Sequence, residues 1–400
     1  MGDEKKEVLL KVDHLSQYFK MGRNELKAVD DVSFEVHKGE VFGLVGESGC
    51  GKTTTGRSIL KIYDITGGSI YFKGQRICAG IRSYQDAIRE AKKELKTCTD
   101  SARKAELTKV ISDNREEIKK ARFDQKKCDK VYAKKLVKET EERYEKLIAD
   151  AGSPEEAKKF KKEFRKERRI AKKTRLVTKI QMIFQDPIAS LDPRMTVREI
   201  IAEGMIINGI RDKKYINEKI YEILEKVGLV REHAGRYPHE FSGGQRQRIG
   251  IARSVVMRPE MIIADEPVSA LDVSVQAQVI NLLNELRDTF DLTIMFIAHD
   301  LSVVKYFSDR IGVMYFGKMV EMTTSDELFA HPLHPYTKSL LSAIPIPDPQ
   351  SEKKRTRIVY NAIAEHDYSV DKPSLREIIP GHFVYCNDAE EEKYRKELGV

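Results

Sequence analysis

The chain of 400 residues has no tryptophan and only five cysteines, Cys50, Cys78, Cys98, Cys128 and Cys386. No two of these have the spacing of a metal site or a redox pair, so a disulfide framework and a zinc module are excluded and a reduced, cytosolic protein is expected. Long apolar runs are also absent: nothing approaches the roughly 18 consecutive apolar residues of a membrane span. The start, Met1-Gly2-Asp3-Glu4-Lys5-Lys6, lacks the apolar stretch of a secretion signal, and Lys6 stands where a myristoylation motif needs Ser or Thr. Any membrane contact is therefore expected through partner proteins.

A third scarcity is local. Residues 81–175 contain one glycine, Gly152, and one proline, Pro154. Turn formers being nearly missing, the segment reads as helix. It carries 31 basic and 19 acidic residues, a balance of +12, whereas the whole chain is +8 and the remainder is therefore −4. Ile81, Tyr84, Ile88, Ala91, Leu95 and Cys98 recur by threes and fours, as in a coiled-coil seam. Asn114 with Glu117 reads as an N-cap and its capping-box partner. A less regular apolar run follows (Ile118, Ala121, Cys128, Val131, Leu136, Tyr144, Leu147), broken at Ala151-Gly152-Ser153-Pro154 and succeeded by a very basic stretch from Lys158 to Arg175. The expectation is an antiparallel helical hairpin with arms of about 35 residues, each extending ~50 Å at 1.5 Å per residue, plus a shorter helix.

What is present elsewhere is an alternation of apolar strands and helices. The length suggests two or three structural units, and 40% apolar residues suffice for a core. Residues 8–45 read as strands, ending in the short buried run Val41-Phe42-Gly43-Leu44-Val45. Further strands are expected at 68–72, 179–184, 261–264 and 292–298, helices through most of 195–255, and a hairpin at 311–322. The last 65 or so residues show proline-rich and charged stretches with little core signal. This is an α/β pattern, in which ligands sit at the carboxyl ends of the strands.

One such end carries Gly46-Glu47-Ser48-Gly49-Cys50-Gly51-Lys52-Thr53, a full G-x-x-x-x-G-K-[ST] motif between a strand and a helix. Its glycines let successive backbone N–H groups converge on phosphate oxygens at a helix N-terminus. Lys52 would reach the β- and γ-phosphates and Thr53 would place its hydroxyl on Mg²⁺. Cys50 reads as a small packed residue rather than a reactive thiol. A second strand ends in Asp265-Glu266, where Asp265 can hold the Mg²⁺ shell and Glu266 can polarise water.

Three further stretches carry a family resemblance. Phe241-Ser242-Gly243-Gly244-Gln245 is similar to the L-S-G-G-Q signature of ATP-binding cassettes, with Phe for Leu; Gln185 resembles the Q-loop glutamine and His299 the switch histidine; and Ser269-Ala270-Leu271-Asp272 resembles the D-loop. The finer resemblance is to ATPase subunits of oligopeptide and dipeptide importers. It is carried by Gln185-Asp186-Pro187-Ile188-Ala189-Ser190-Leu191-Asp192-Pro193-Arg194, His331-Pro332-Leu333-His334-Pro335-Tyr336-Thr337-Lys338 and Pro380-Gly381-His382-Phe383-Val384. It covers 8–77, 176–325 and the tail; the insertion at 81–175 is expected to be foreign to the usual pattern.

The resemblance implies an α/β, P-loop NTPase fold: a RecA-like core, an antiparallel β subdomain and a helical subdomain. To these are added the inserted helical hairpin or coiled coil and a C-terminal extension. The corresponding divisions are 1–80, 81–175, 176–325 and 326–400. It also implies an ATPase working as a head-to-tail cassette dimer. ATP would be held by Gly46, Ser48, Gly49, Cys50, Gly51, Lys52, Thr53 and Thr54 of one cassette and by Ser242, Gly243, Gly244, Gln245 and Asp272 across the interface. Mg²⁺ would be held by Thr53, Gln185 and Asp265. Glu266, His299, Lys52 and Gln185 would do the chemistry. Phe19 would stack on adenine, with Tyr18 the alternative. The tail holds one cysteine, Cys386, so the iron–sulfur cluster of some subfamily members is not expected. The implied partners are a second cassette, expected to be a paralogue, two transmembrane permease subunits and an extracytoplasmic substrate-binding protein, with this chain peripheral on the cytoplasmic face. The competing reading is a cassette ATPase acting on nucleic acid or ribosomes through the basic insertion. Against it stand the single cassette, the lack of paired Cys-x-x-Cys and an insertion that precedes Gln185. For the insertion itself a solvated coil, a protein contact, anionic lipid and nucleic acid all remain open.

Overall fold

The computed structural model describes residues 7–269, 271–344, 357–368 and 371–400; Ala270 of the D-loop lies outside them. Two sheets organise the molecule. Four antiparallel strands stand in the order β2-β1-β4-β5: β1 Val8–Met21, β2 Asn24–His37, β4 Gly67–Phe72 and β5 Gln75–Ala79. The second sheet has eight strands in the order β11-β12-β10-β9-β3-β8-β7-β6. Its parallel part comprises β3 Val41–Val45, β6 Ile180–Ile183, β7 Met261–Asp265, β8 Thr293–Ala298 and β9 Arg310–Tyr315. All residues of β3, β7 and β8 are buried, as strands covered on both faces must be, which is why they read as continuous apolar runs rather than alternations.

Helices cover this sheet. α1 (Lys52–Ile59) follows β3; α5 (Pro187–Ser190), α6 (Val197–Ile207), α7 (Lys213–Lys226) and α8 (Gly243–Val255) form a helical layer; α9 (Val273–Phe290) and α10 (Leu301–Phe307) return the chain to β8 and β9. Thr196 begins α6 with a complete capping box to Glu199, and Asp212 caps α7 through Lys214 and Tyr215.

The inserted segment departs from the expected hairpin. It comprises α2 (Arg82–Thr97), one helix of 49 residues, α3 (Ser101–Ala149), and α4 (Pro154–Ala171). At 1.5 Å per residue α3 is about 74 Å long. Asn114 caps nothing: it lies inside α3 and donates through Nδ2 to the Val110 carbonyl, 2.8 Å away. Without Gly or Pro nearby, the polar run Ser112-Asp113-Asn114 cannot break a helix. The break falls at Asp100, whose carboxylate accepts from the Ala102 amide. Ser153 and Pro154 start α4 as an N-cap and N1 pair.

The long helix is docked at its middle. Its seam is Ala121, Cys128 and Tyr132, all buried, whereas Val131 and Leu147, expected in the apolar run, are exposed. Tyr132 joins the core beneath β3 and β7 and donates to Glu260 Oε1 at 3.1 Å. Glu260 also receives Lys73 at 2.6 Å. Gln125 donates to the Ala79 carbonyl, and Asp129 accepts from the Leu176 amide. Towards one end α2 packs on α3 through Ala91, Leu107 and Ile111; towards the other Phe164 of α4 lies 5.6 Å from Tyr144.

The C-terminal residues also differ from expectation. β10 (Lys318–Thr324) pairs with β12 (His382–Cys386), which pairs with β11 (Ser374–Ile379), so the tail extends the main sheet. It has a core of its own, Leu333, Ile378, Val384, Cys386 and Tyr394, the last from the helix Asp388–Leu398. These residues are too scattered in sequence to give a periodic signal.

Candidate functional site

The loop between β3 and α1 is shaped by three glycines at positive φ, Gly46 (148°), Gly49 (83°) and Gly51 (106°). A Cβ on Gly46 would lie 2.2 Å from the Met314 carbonyl oxygen, and one on Gly51 2.3 Å from that of Ala28. The loop is therefore pressed against β2 and β9, and only glycine fits at either position. Lys52 is buried and donates Nζ to the carbonyls of Gly46 (2.7 Å) and Glu47 (2.8 Å). Its ammonium thus lies across the loop mouth, where a phosphate would replace carbonyls as its partner. Cys50 is buried, and burial pushes its thiol up, as befits a packing residue.

Because β3, β8 and β7 are neighbours, their carboxyl ends bring together residues over 200 positions apart. Thr53 Oγ1 donates to Asp265 Oδ1 at 2.7 Å. The other carboxylate oxygen, Oδ2, is buried without a hydrogen-bond partner. Burial pushes the Asp265 carboxyl up, against the opposing pull of Thr53 and of the Arg57 and Lys52 charges. A buried acceptor left open beside a threonine hydroxyl suits a hard divalent cation, so Thr53 and Asp265 fit Mg²⁺.

Glu266 has φ of 43°, a strained conformation for a residue with a Cβ. Its amide donates to Ile297, continuing the β7–β8 ladder by one rung. Gln185 Nε2 donates to Glu266 Oε2 at 3.0 Å, and His299 Nδ1 lies 3.1 Å from the same oxygen. Two residues from separate strand ends therefore converge on the carboxylate at the end of a third.

Ser242 and Gln245 form the capping box that begins α8, with Ser242 Oγ accepting from the Gln245 amide. Gly244 is tight: a Cβ there would lie 2.7 Å from Val275 of α9. Asp272 is the exposed N-cap of α9. Among the described residues, no hydrogen bond joins 242–245 or Asp272 to the phosphate loop of the same chain. Near the N-terminus Phe19 stands edge-on to Tyr63, with ring centroids 5.2 Å apart. The Tyr18 hydroxyl is bonded to Asp30, and burial followed by that bond pushes its phenol up to about 12.

One contact escaped the reading of motifs. The Glu47 amide of the phosphate loop donates to the hydroxyl of Tyr336 at 3.0 Å. Tyr336 stands in the stretch His334-Pro335-Tyr336, which marks the subfamily resemblance but shows no contact in sequence.

Comparisons with known proteins give the family. The ABC transporter family model matches residues 29–167 and 146–269, and the model of the oligopeptide/dipeptide transporter C-terminal region matches 320–370. The chain is 46% identical over 385 residues to the oligopeptide transport ATP-binding protein OppF of Bacillus subtilis, covering 96% of this chain and 98% of that one. It is 43% identical over 392 residues to the dipeptide transport ATP-binding protein DppF of Lactococcus lactis, covering 97% of each. The ABC transporter model matches in two pieces that overlap at 146–167, inside the segment 81–175. Among solved structures, the cassette MJ0796, dimeric in a post-hydrolysis state with ADP and Pi, matches with a TM-score of 0.51 at 21% identity, covering 79% of this chain and 99% of that one. The protein cbiO1 of Clostridium perfringens matches with the same TM-score at 19% identity, covering 81% and 92%.

Proposed function

Since the chain belongs to the ABC transporter ATP-binding family, with the oligopeptide/dipeptide type of C-terminal region, we propose that it is the ATP-hydrolysing subunit of a peptide importer. The observation that carries the reading is Glu266 held between Gln185 and His299, beside the Thr53–Asp265 pair.

In this reading the amides of 46–54 and Lys52 bind the ATP phosphates. Thr53 and Asp265, with Gln185, hold Mg²⁺, which when bound neutralises charge on the β- and γ-phosphates. Glu266 orients the attacking water and takes its proton, while His299 and Gln185 fix the carboxylate. Gln185 thereby reads the nucleotide state. Ser242, Gly243, Gly244, Gln245 and Asp272 serve the loop of a second cassette, which we take to be a paralogue; among the described residues none of them is bonded to its own loop. Phe19 is the adenine platform; Tyr18 has its hydroxyl engaged by Asp30. The cassette pair sits peripherally on two permeases at the cytoplasmic face, fed by a substrate-binding protein. No helix among the described residues is long and apolar enough to cross a membrane. The nucleic-acid reading finds no support among the relatives, which are named as transport ATP-binding proteins.

The test is uptake. Deleting the gene should abolish accumulation of a labelled oligopeptide, and the wild-type gene should restore it where Glu266→Gln does not. Undiminished peptide uptake in the deletion strain would contradict the proposal.

A further inference from the structure

The tail residues 321–385 contain a buried polar network that ATP chemistry does not require. Glu321 of β10 is fully buried. Its carboxylate accepts from the amides of Leu333 (2.8 Å) and His334 (3.0 Å), and His382 Nε2 lies 2.8 Å from Oε1. A buried carboxylate is costly unless its oxygens are satisfied, so these three groups fix the turn at 333–334 against the sheet. His334 then caps the helix Pro335–Ser342, with Nδ1 accepting from the Tyr336 amide at 3.1 Å.

The Tyr336 ring is held on more than one side. It lies 4.4 Å from Tyr315 and 5.5 Å from Tyr360 between ring centroids. Among the described residues, its one bond to the phosphate loop is the one its hydroxyl accepts from Glu47. Tyr315 belongs to β9, whose Met314 carbonyl already crowds Gly46, and Gly317 donates to the Cys50 carbonyl at 3.0 Å. The first half of the loop is thus backed by β9 and its turn, and clamped at Glu47 by a side chain from the C-terminal region.

We propose that Tyr336 is a positioning residue for the phosphate loop, through which the C-terminal region sets nucleotide affinity. The tyrosine touches no phosphate; it holds the Glu47 amide so that the following amides are arranged before ATP arrives. The inference rests on the reading of this loop as the ATP site.

The test compares full-length Tyr336→Phe with wild type and with Tyr360→Phe, whose hydroxyl has no bond to the loop among the described residues. A single lost hydrogen bond predicts a rise of about fivefold in Kd and KM for MgATP, with kcat kept, the thermal unfolding temperature lowered only by the few degrees that about 1 kcal/mol is worth, and no change in Kd or KM for Tyr360→Phe. Hydrogen exchange in the wild type should show the Glu47 amide protected before nucleotide is added. This reading needs no variant and decides the matter if Tyr336→Phe fails to fold. Wild-type affinity in Tyr336→Phe, or a Glu47 amide that exchanges freely, would overturn the inference while leaving the ATPase reading intact. A wild-type protein that neither binds nor hydrolyses MgATP would overturn both.

Discussion

Thr53 and Asp265, 212 positions apart, share a hydrogen bond of 2.7 Å that leaves one Asp265 oxygen buried and open. That open oxygen has a consequence for the metal. Asp265→Asn keeps the shape and a bond to Thr53 but removes the charge. Affinity for ATP in the presence of Mg²⁺ should fall by about 10- to 100-fold, while affinity for ATP in chelator changes little. Nucleotide titrations with and without Mg²⁺ check this; an undiminished gain from Mg²⁺ in the variant would argue against Asp265 as a ligand.

Tyr132 tests whether the inserted helices are part of the cassette. Its hydroxyl bonds to Glu260 and its ring lies in the core. Tyr132→Phe should cost about 1 kcal/mol, and Tyr132→Ala about 3–5 kcal/mol. Both should lower the melting of the nucleotide-binding core, followed by calorimetry. If Tyr132→Ala leaves that transition in place and only a separate helical transition moves, the insertion is an independent unit.

His334 gives a pH dependence. Burial first, and then the neighbouring His366, lower its pKa from the ordinary 6.5 to about 3. Glu321 accepts from its amide, Tyr336 and Tyr360 lie beside its ring, and His366 is itself bonded to Glu390. A folded-state pKa below the unfolded one means that the unfolded chain binds the proton more readily. The stability His334 contributes is complete above pH 6.5 and lost as pH falls towards 3, at about 1.4 kcal/mol per unit. His334→Asn offers an acceptor that does not titrate, so its stability should fall less steeply between pH 7 and 5. Parallel profiles for the two proteins would show that His334 is not the titrating group.

Much of the site is legible in sequence because it lies in short contiguous motifs: Gly46 to Thr53, Asp265-Glu266, Gln185 and His299 each lie at or just after the end of a strand. Their convergence follows from the parallel order of β3, β8, β7 and β6. The contacts that remained hidden join single side chains across long separations. Tyr336 to Glu47 spans 289 positions and Tyr132 to Glu260 spans 128, and neither leaves a periodic trace. The misplaced cap at Asn114 shows the opposite limit: a polar triplet resembles a helix start, but its backbone groups are satisfied within α3.

The most direct test of the account is turnover and assembly measured together in Glu266→Gln. The carboxylate held by Gln185 and His299 is assigned the proton of the attacking water, so its amide should lower kcat by about 10²–10⁴-fold. MgATP should still bind and should drive the cassettes to pair, seen by light scattering on the purified pair. Hydrolysis at the wild-type rate in this variant would contradict the central claim.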